Sequence, residues 1–235
     1  MEQTLGFVDK NFPNHMCRLQ KSIYGLKQAP RAWFHQLATT LLGLGFIESK
    51  VDYSLFILHK SDVHMFLLIY IDDIIVTSNS TAAITELLHC LKQSFAMKDL
   101  GPLHFFLGIH VHRQSGSLHL SQTKYISDLL DHAHMIGAKP AKTPIPAGSQ
   151  LSKFSGDPLE NATEYRHLVG ALQYCTLTRL DISFAVNQLC KFMHSPTTTH
   201  WTAAKRVLHY LKGSINHSLQ FSKGTLHLNA YSDSD

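Results

Sequence analysis

The apolar run from His64 to Thr77 is interrupted once, by Tyr70-Ile71-Asp72-Asp73. The Ile and Val on either side favour extended chain, whereas two adjacent carboxylates are poor strand residues and split the run into two short arms. The expected local structure is a β-hairpin with both acids at its tip. Two ionised carboxylates about 4 Å apart repel by roughly 4 kcal/mol at an effective dielectric near 20, and apolar neighbours raise that cost. A hard divalent cation removes it, which suits phosphoryl or nucleotidyl transfer. The plain alternative is a surface turn that happens to hold two acids. A membrane span is excluded, because the run is too short and carries two charges at its centre.

The 235 residues are 44% hydrophobic, enough for one large or two small packed cores. Lys+Arg number 21 against 17 Asp+Glu, a net +4, which permits a polyanionic partner without requiring one. Cys17, Cys90, Cys175 and Cys190 form no Cys-x-x-Cys pair, so neither a disulfide framework nor a zinc knuckle is indicated. They read as reduced core thiols. Among the 17 histidines, His110-Val-His112 and His132-Ala-His134 lack a partner Cys or acid at ligand spacing and read as surface or packing residues. The polar start Met1-Glu-Gln-Thr-Leu-Gly is no secretory signal, and the expected compartment is intracellular.

Along the chain, Gly6, Pro13 and Asn14 mark an irregular start. Lys21, Lys27 and Arg31 then alternate with Tyr24, Trp33 and Phe34, a pattern that serves phosphate contact and base stacking or else a solvated loop with core aromatics. Pro30 suits a first helical turn. Trp33, Leu37, Leu41 and Leu44 share a face, and Gly45 stops the helix. A strand over Tyr53–His59 precedes the Asp-Asp hairpin. Ser78-Asn-Ser80 caps a helix carrying Ile84, Leu87, Leu88, Leu91 and Phe95.

Extended structure resumes at Leu100–Ile109 and turns at Ser115-Gly116 into Leu118–Ser121; a helix over Thr123–Ile136 with Gly137 as its stop follows. Pro140 to Pro158, rich in Pro, Gly and Ser, is the expected linker. Helices over Thr163–Thr176, Asp181–Met193 and His200–Lys212 come next; in the last, Lys205, His209 and Lys212 flank the apolar stripe, suited to a phosphate backbone or to plain solvation. Strands over Ser218–Ser222 and Leu226–Asp235 close the chain with a carboxylate cluster that reads as cut off in mid-domain. The class is α+β.

Six segments together resemble the reverse transcriptase region of Ty1/copia-type retrotransposon polyproteins, in that family's order and across nearly the whole chain. They are Ser22-Ile-Tyr-Gly-Leu-Lys-Gln-Ala-Pro-Arg-Ala-Trp33, Tyr70-Ile-Asp-Asp73, Met97-Lys-Asp-Leu-Gly-Pro-Leu-His-Phe-Phe-Leu-Gly108, Leu120-Ser-Gln-Thr-Lys-Tyr125, Tyr165-Arg-His-Leu-Val-Gly-Ala-Leu-Gln-Tyr174 and Ala203-Ala-Lys-Arg-Val-Leu-His-Tyr-Leu-Lys-Gly213. The resemblance implies a partial right-hand polymerase. Fingers, palm and thumb would occupy 1–146, a linker 147–162, a helical connection 163–216 and the start of a ribonuclease H domain 217–235.

By that resemblance Asp72 ligates catalytic Mg²⁺ (or Mn²⁺) and Asp73 supports it, while Tyr70 packs beside the primer end. Gln28 lies near the incoming deoxynucleotide, with Lys27 and Arg31 as phosphate or template contacts and Lys98 near a position that assists phosphate chemistry. Phe106, Leu107 and Gly108 grip the primer, and Asp233 is the first ribonuclease H acid. The implied partners are an RNA template, a DNA primer, their RNA–DNA hybrid and deoxynucleotides, with no membrane and with dimerisation left open.

The family carries a further polymerase carboxylate on an upstream strand of Asp-Val-x-x-Ala-Phe type. Upstream of Asp72 this chain offers Glu2, Asp9, Glu48, Asp52 and Asp62, none in that context. The expectation is therefore a polymerase by ancestry that is inert alone, lacking its first-carboxylate strand and most of its ribonuclease H domain. The alternative is a non-catalytic nucleic-acid-binding remnant using Lys27, Arg31, Lys205 and Lys212. Thr4-Leu5 replaces the family's proline pair, and Leu180 its proline after Thr-Arg.

Overall fold

The computed structural model describes residues 2–18, 25–148, 150–224, 227 and 230. It divides into two compact units, Met1–Leu100 and Gly101–Asp235.

In the first unit helix α1 (Ala29–Gly43) begins with Pro30 in its first turn, where the missing N–H costs nothing. It ends in a Schellman reversal: Gly45 at φ +94° lets Phe46 N donate to Leu41 O and Gly45 N to Leu42 O. That reversal changes the expected stripe. Leu44 is exposed at the cap, and Phe46 takes its place in the core with Leu37 and Leu41.

Four antiparallel strands follow, β1 (Ile47–Glu48), β2 (Leu55–Lys60), β3 (Val63–Tyr70) and β4 (Asp73–Ser78), paired in that order. Strand β3 alternates, with Met65, Leu67 and Ile69 buried and His64, Phe66 and Tyr70 exposed. Only one sheet face is covered, as the period of two requires. Helix α2 (Thr81–Ser94) starts where Ser80 Oγ accepts from Ala83 N, and it adds Leu87 and Leu91 to the same core. Each such leucine contributes about 1.5–3 kcal/mol by burial.

The second unit holds β5 (Phe105–Phe106), β6 (Ile109–Gln114), β7 (Ser117–Ser121) and β8 (Leu219–Ser222), again antiparallel in that order. Between β7 and β8 come α3 (Thr123–His132), α4 (Ala162–Cys175), a 3-10 turn (Leu180–Ile182), α5 (Ser183–Cys190) and α6 (Thr198–Gly213). Their apolar faces meet in a core that includes Ile126, Leu130, Tyr165, Val169, Leu172, Val186, Val207 and Leu211.

Helix α3 stops at His132, short of the expected Ile136. His134 adopts φ +54° and Met135 N returns to Leu130 O, so a histidine performs the reversal expected of Gly137. Met135 is thereby buried and Ile136 exposed.

The division between units falls at Leu100/Gly101, whereas residues 147–162 run within the second unit. The Pro- and Ser-rich stretch stays there because Ile145, Leu151 and Leu159 pack on the core. It also straps α6: Thr198 N donates to Asp157 O and Thr197 Oγ1 to Ser155 O. Strand β8, from the segment expected to open a separate domain, pairs with β7 from Leu120↔Leu219 to Ser117↔Ser222. Asp233 and most of the final strand lie outside the described residues. Among the described residues no helix is long and apolar enough to cross a membrane.

Candidate active site

The register Tyr70↔Asp73 closes the β3–β4 hairpin around a two-residue loop, Ile71-Asp72. Ile71 sits at φ +51° while Asp72 keeps negative φ, the pattern of a II′ turn, which prefers glycine at its first loop position. A β-branched residue there is a conformational outlier, and such strain costs on the order of 1–3 kcal/mol and persists only where its surroundings enforce it. Six consecutive cross-strand pairs from Met65↔Ser78 to Tyr70↔Asp73 do the enforcing.

The result is a tip presenting two adjacent, solvent-exposed carboxylates, Asp72 in the loop and Asp73 opposite Tyr70. All-oxygen donors of this kind fit a hard divalent cation. Among the described residues no group of three or more His, Cys, Asp or Glu side chains is arranged to hold a metal ion, so no third such side chain joins Asp72 and Asp73 there. Asp52, upstream, is committed elsewhere: it accepts from Ser54 Oγ at 2.6 Å and Ser54 N at 2.9 Å, which holds its carboxyl below the usual range.

Gln28 is the N-cap residue of α1, with Lys27 just before it and Arg31 in the first turn, all three exposed. One helix start therefore gathers the three, and its N–H groups and dipole favour an anion. Lys98 is exposed in the loop after α2, next to Met97, which packs on the first core.

In the second unit, Phe106↔Ile109 closes another two-residue loop, with Leu107 at φ +47° and Gly108 at φ +76°, the I′ pattern. This tip is braced from outside the hairpin. Tyr174 of α4 donates its hydroxyl to Leu107 O, and its ring meets Tyr125 of α3 edge-on with centroids 5.0 Å apart. A Cβ on Gly108 would sit 3.6 Å from Tyr125 and 3.7 Å from Tyr174. Below them the buried Gln122 donates to Tyr174 O at 3.3 Å and accepts from Thr178 Oγ1 at 2.8 Å.

Sequence reasoning assigned no role to Tyr125, Gln122 or Tyr174. They lie inside the motifs quoted above, but only the fold brings residues some fifty positions apart to one hairpin.

Two further polar features are structural. Arg179, 2% exposed, pairs with Asp181 at 3.0 and 2.7 Å and donates to Ser214 O at 2.9 Å; Tyr210 OH adds a bond to Asp181 at 2.6 Å. Burial pushes the Asp181 carboxyl up, but the bonds from Arg179 and Tyr210 and the guanidinium charge outweigh it and hold it below the usual range. The basic flank of α6 is likewise occupied. Lys212 donates to Ile136 O and Ala138 O, His209 Nδ1 lies 2.6 Å from Lys139 O, and Lys205 sits over the Trp201 ring. Lys212 and His209 thus hold residues 136–139 in place, while Lys205 lies against Trp201 of its own helix.

Residues 1–147 match the family model described as reverse transcriptase (RNA-dependent DNA polymerase). The chain is 49% identical over 236 residues to the retrovirus-related Pol polyprotein from transposon RE2 of Arabidopsis thaliana, and 50% identical over 236 residues to that from transposon RE1 of the same plant. Both alignments cover 100% of this chain and 16% of the polyprotein. The Pol polyprotein from transposon TNT 1-94 of Nicotiana tabacum is 35% identical over 245 residues, covering 100% of this chain and 18% of that protein. The chain thus spans less than a fifth of the length of these relatives. No solved structure matches it.

Proposed function

The chain belongs to the reverse transcriptase family of copia-type Pol polyproteins, and from that premise we propose that it is the part of such a polyprotein that adds deoxynucleotides to a DNA primer on an RNA template. The observation that carries the reading is the Asp72-Asp73 pair, held exposed on a strained turn at the end of a hairpin. Asp72 and Asp73 would hold Mg²⁺ or Mn²⁺. When bound, the metal supplies Lewis-acid chemistry that activates the primer 3′-hydroxyl and neutralises charge on the pyrophosphate leaving group.

The protein's own groups supply position. Tyr70, opposite Asp73, offers a ring edge to the primer end. Lys27, Gln28 and Arg31 meet phosphates at the start of α1, with Lys98 as a further cation. The Phe106-Leu107-Gly108 tip, fixed by Tyr174, contacts the primer backbone.

Two carboxylates leave a metal pair short of ligands, and losing even an outer-shell partner of a metal site costs 10–100-fold. The 235-residue chain by itself therefore extends a primer at least about 100-fold more slowly than a version carrying the upstream polyprotein segment. Primer extension on an RNA template with both proteins tests this. Asp72→Asn abolishes extension by the longer protein. Full activity in the shorter chain, or survival of activity in Asp72→Asn, overturns the reading.

The incomplete donor set also favours a second reading, a non-catalytic nucleic-acid-binding remnant. Its signature is salt-dependent binding of an RNA–DNA hybrid that survives both Asp72→Asn and metal removal. Lys27, Arg31 and Lys205 are its contacts, since Lys212 is engaged within the fold.

A further inference from the structure

At the end of β3 remote from the acid pair, Lys60↔Val63 closes a two-residue loop and places His59 directly opposite His64. The pair next to such a loop is the non-hydrogen-bonded kind, in which cross-strand side chains approach most closely. Both imidazoles are solvent-exposed, and their Nδ1 atoms face each other at 2.6 Å. At that separation one nitrogen donates a proton to the other's lone pair.

The backbone beneath them is held firmly. His64 N donates to Asn79 Oδ1 at 2.9 Å, Ser78 Oγ donates to His64 O at 2.8 Å, and Asn79 Nδ2 donates to Asp62 O at 2.6 Å. The His59 ring also stands edge-on to Phe66, with centroids 6.2 Å apart. Two imidazole Nδ1 atoms are thus held side by side on adjacent strands paired from Leu55↔Leu68 to Lys60↔Val63.

We propose that His59 and His64 form a two-histidine site for a borderline divalent transition metal such as Zn²⁺, separate from the hard-cation chemistry of Asp72 and Asp73. Imidazole nitrogen selects Zn²⁺, Cu²⁺ or Ni²⁺ and leaves Mg²⁺ to carboxylates. Two nitrogens each about 2.05 Å from a tetrahedral ion stand about 3.3 Å apart, so the rings part by roughly 0.7 Å from their present contact. A small χ rotation at exposed side chains provides that. As the ion enters, the ring that donated from Nδ1 gives that proton to solvent and takes one up at Nε2, so both rings stay neutral and both Nδ1 lone pairs are free for the metal. No third His, Cys, Asp or Glu joins the pair among the described residues, so water completes the coordination shell. The bound ion staples β2 to β3 roughly 20 Å along the strand from Tyr70.

The test uses the 235-residue chain without an affinity tag. Zn²⁺ is titrated calorimetrically and, in parallel, against the histidine ring resonances by NMR. The first equivalent is expected to shift His59 and His64 before any other ring. H59Q and H64Q should each weaken that equivalent by at least about 10-fold, H112Q should leave it unchanged, and millimolar Mg²⁺ should not compete. Affinity unchanged from the wild-type chain in H59Q and H64Q overturns the site. So does a first equivalent that shifts other histidines in the wild-type chain, and either result reduces the contact to a hydrogen-bonded pair.

Discussion

Ile71 and His200 show how single residues carry information that composition hides. Ile71 reads as one more strand residue, yet it stands in the left-handed region at the turn that lifts the two acids into solvent. His200 reads as the polar start of a helix; it is fully buried, its ring stacks on Phe192 at 3.9 Å, and Nδ1 accepts from Thr197 N at 3.0 Å. That bond leaves the proton on Nε2, and a hydrogen bond with the Ser152 backbone favours the charged ring, but less than burial disfavours it. Burial pushes the His200 imidazole below the ordinary histidine value. As pH falls below about 6.5, the unfolded chain gains a proton that the folded state refuses, so stability is complete above that value and declines beneath it. Urea midpoints should therefore fall between pH 7.5 and 5.5, with a contribution from His200 of up to about 1.4 kcal/mol per pH unit. His200→Gln should flatten that part of the slope, and an unchanged slope would remove His200 from the account.

At the scale of elements, the extended apolar run of β3 and the apolar stripes of α1 and α2 were legible because the core that buries them is local in sequence, whereas the alternation of buried and exposed residues along β3 emerged only with the sheet. The ends of α1 and α3 were legible only in part. Both close with a Schellman reversal; Gly45 announces the first, whereas His134 carries no composition signal for the second. The strap over α6 was invisible altogether, since Gly156 resembles any loop glycine. Its φ is +83°, and an added Cβ would lie 2.6 Å from Thr199 Oγ1, 2.8 Å from Thr198 Oγ1 and 3.0 Å from Thr199 N. Gly156→Ala should destabilise the chain by about 2 kcal/mol through strain and overpacking. Gly170→Ala, mid-helix with nothing within 4 Å of the added methyl, should stabilise it by about 0.5–1 kcal/mol. Chemical denaturation of the pair checks both signs, and a neutral Gly156→Ala would show that the strap is not closely packed.

For the whole molecule, strand β8 binds late sequence into an early sheet. Removing residues 217–235 deletes four cross-strand pairs, from Leu120↔Leu219 to Ser117↔Ser222, and bares the edge of β7. At about 0.2–1 kcal/mol per pair the truncation should destabilise the second unit by about 1–4 kcal/mol, measured by hydrogen exchange at the amides of β7. Unchanged protection there would mean that β8 contributes little. The family was readable because six motifs occur in order, and the acid hairpin because a break in an apolar run is a local signal. Local sequence likewise determined the mixed α+β class, through periodicity and turn chemistry that neighbouring residues enforce on one another. The tertiary structure alone decided that Tyr174 and Gln122 brace the 107–108 tip, that Lys212 and His209 hold residues 136–139, and that Arg179 lies buried against Asp181 and Ser214. Each of these depends on a polar group meeting a partner far along the chain or losing its water, and neither event leaves a trace in the spacing of residues.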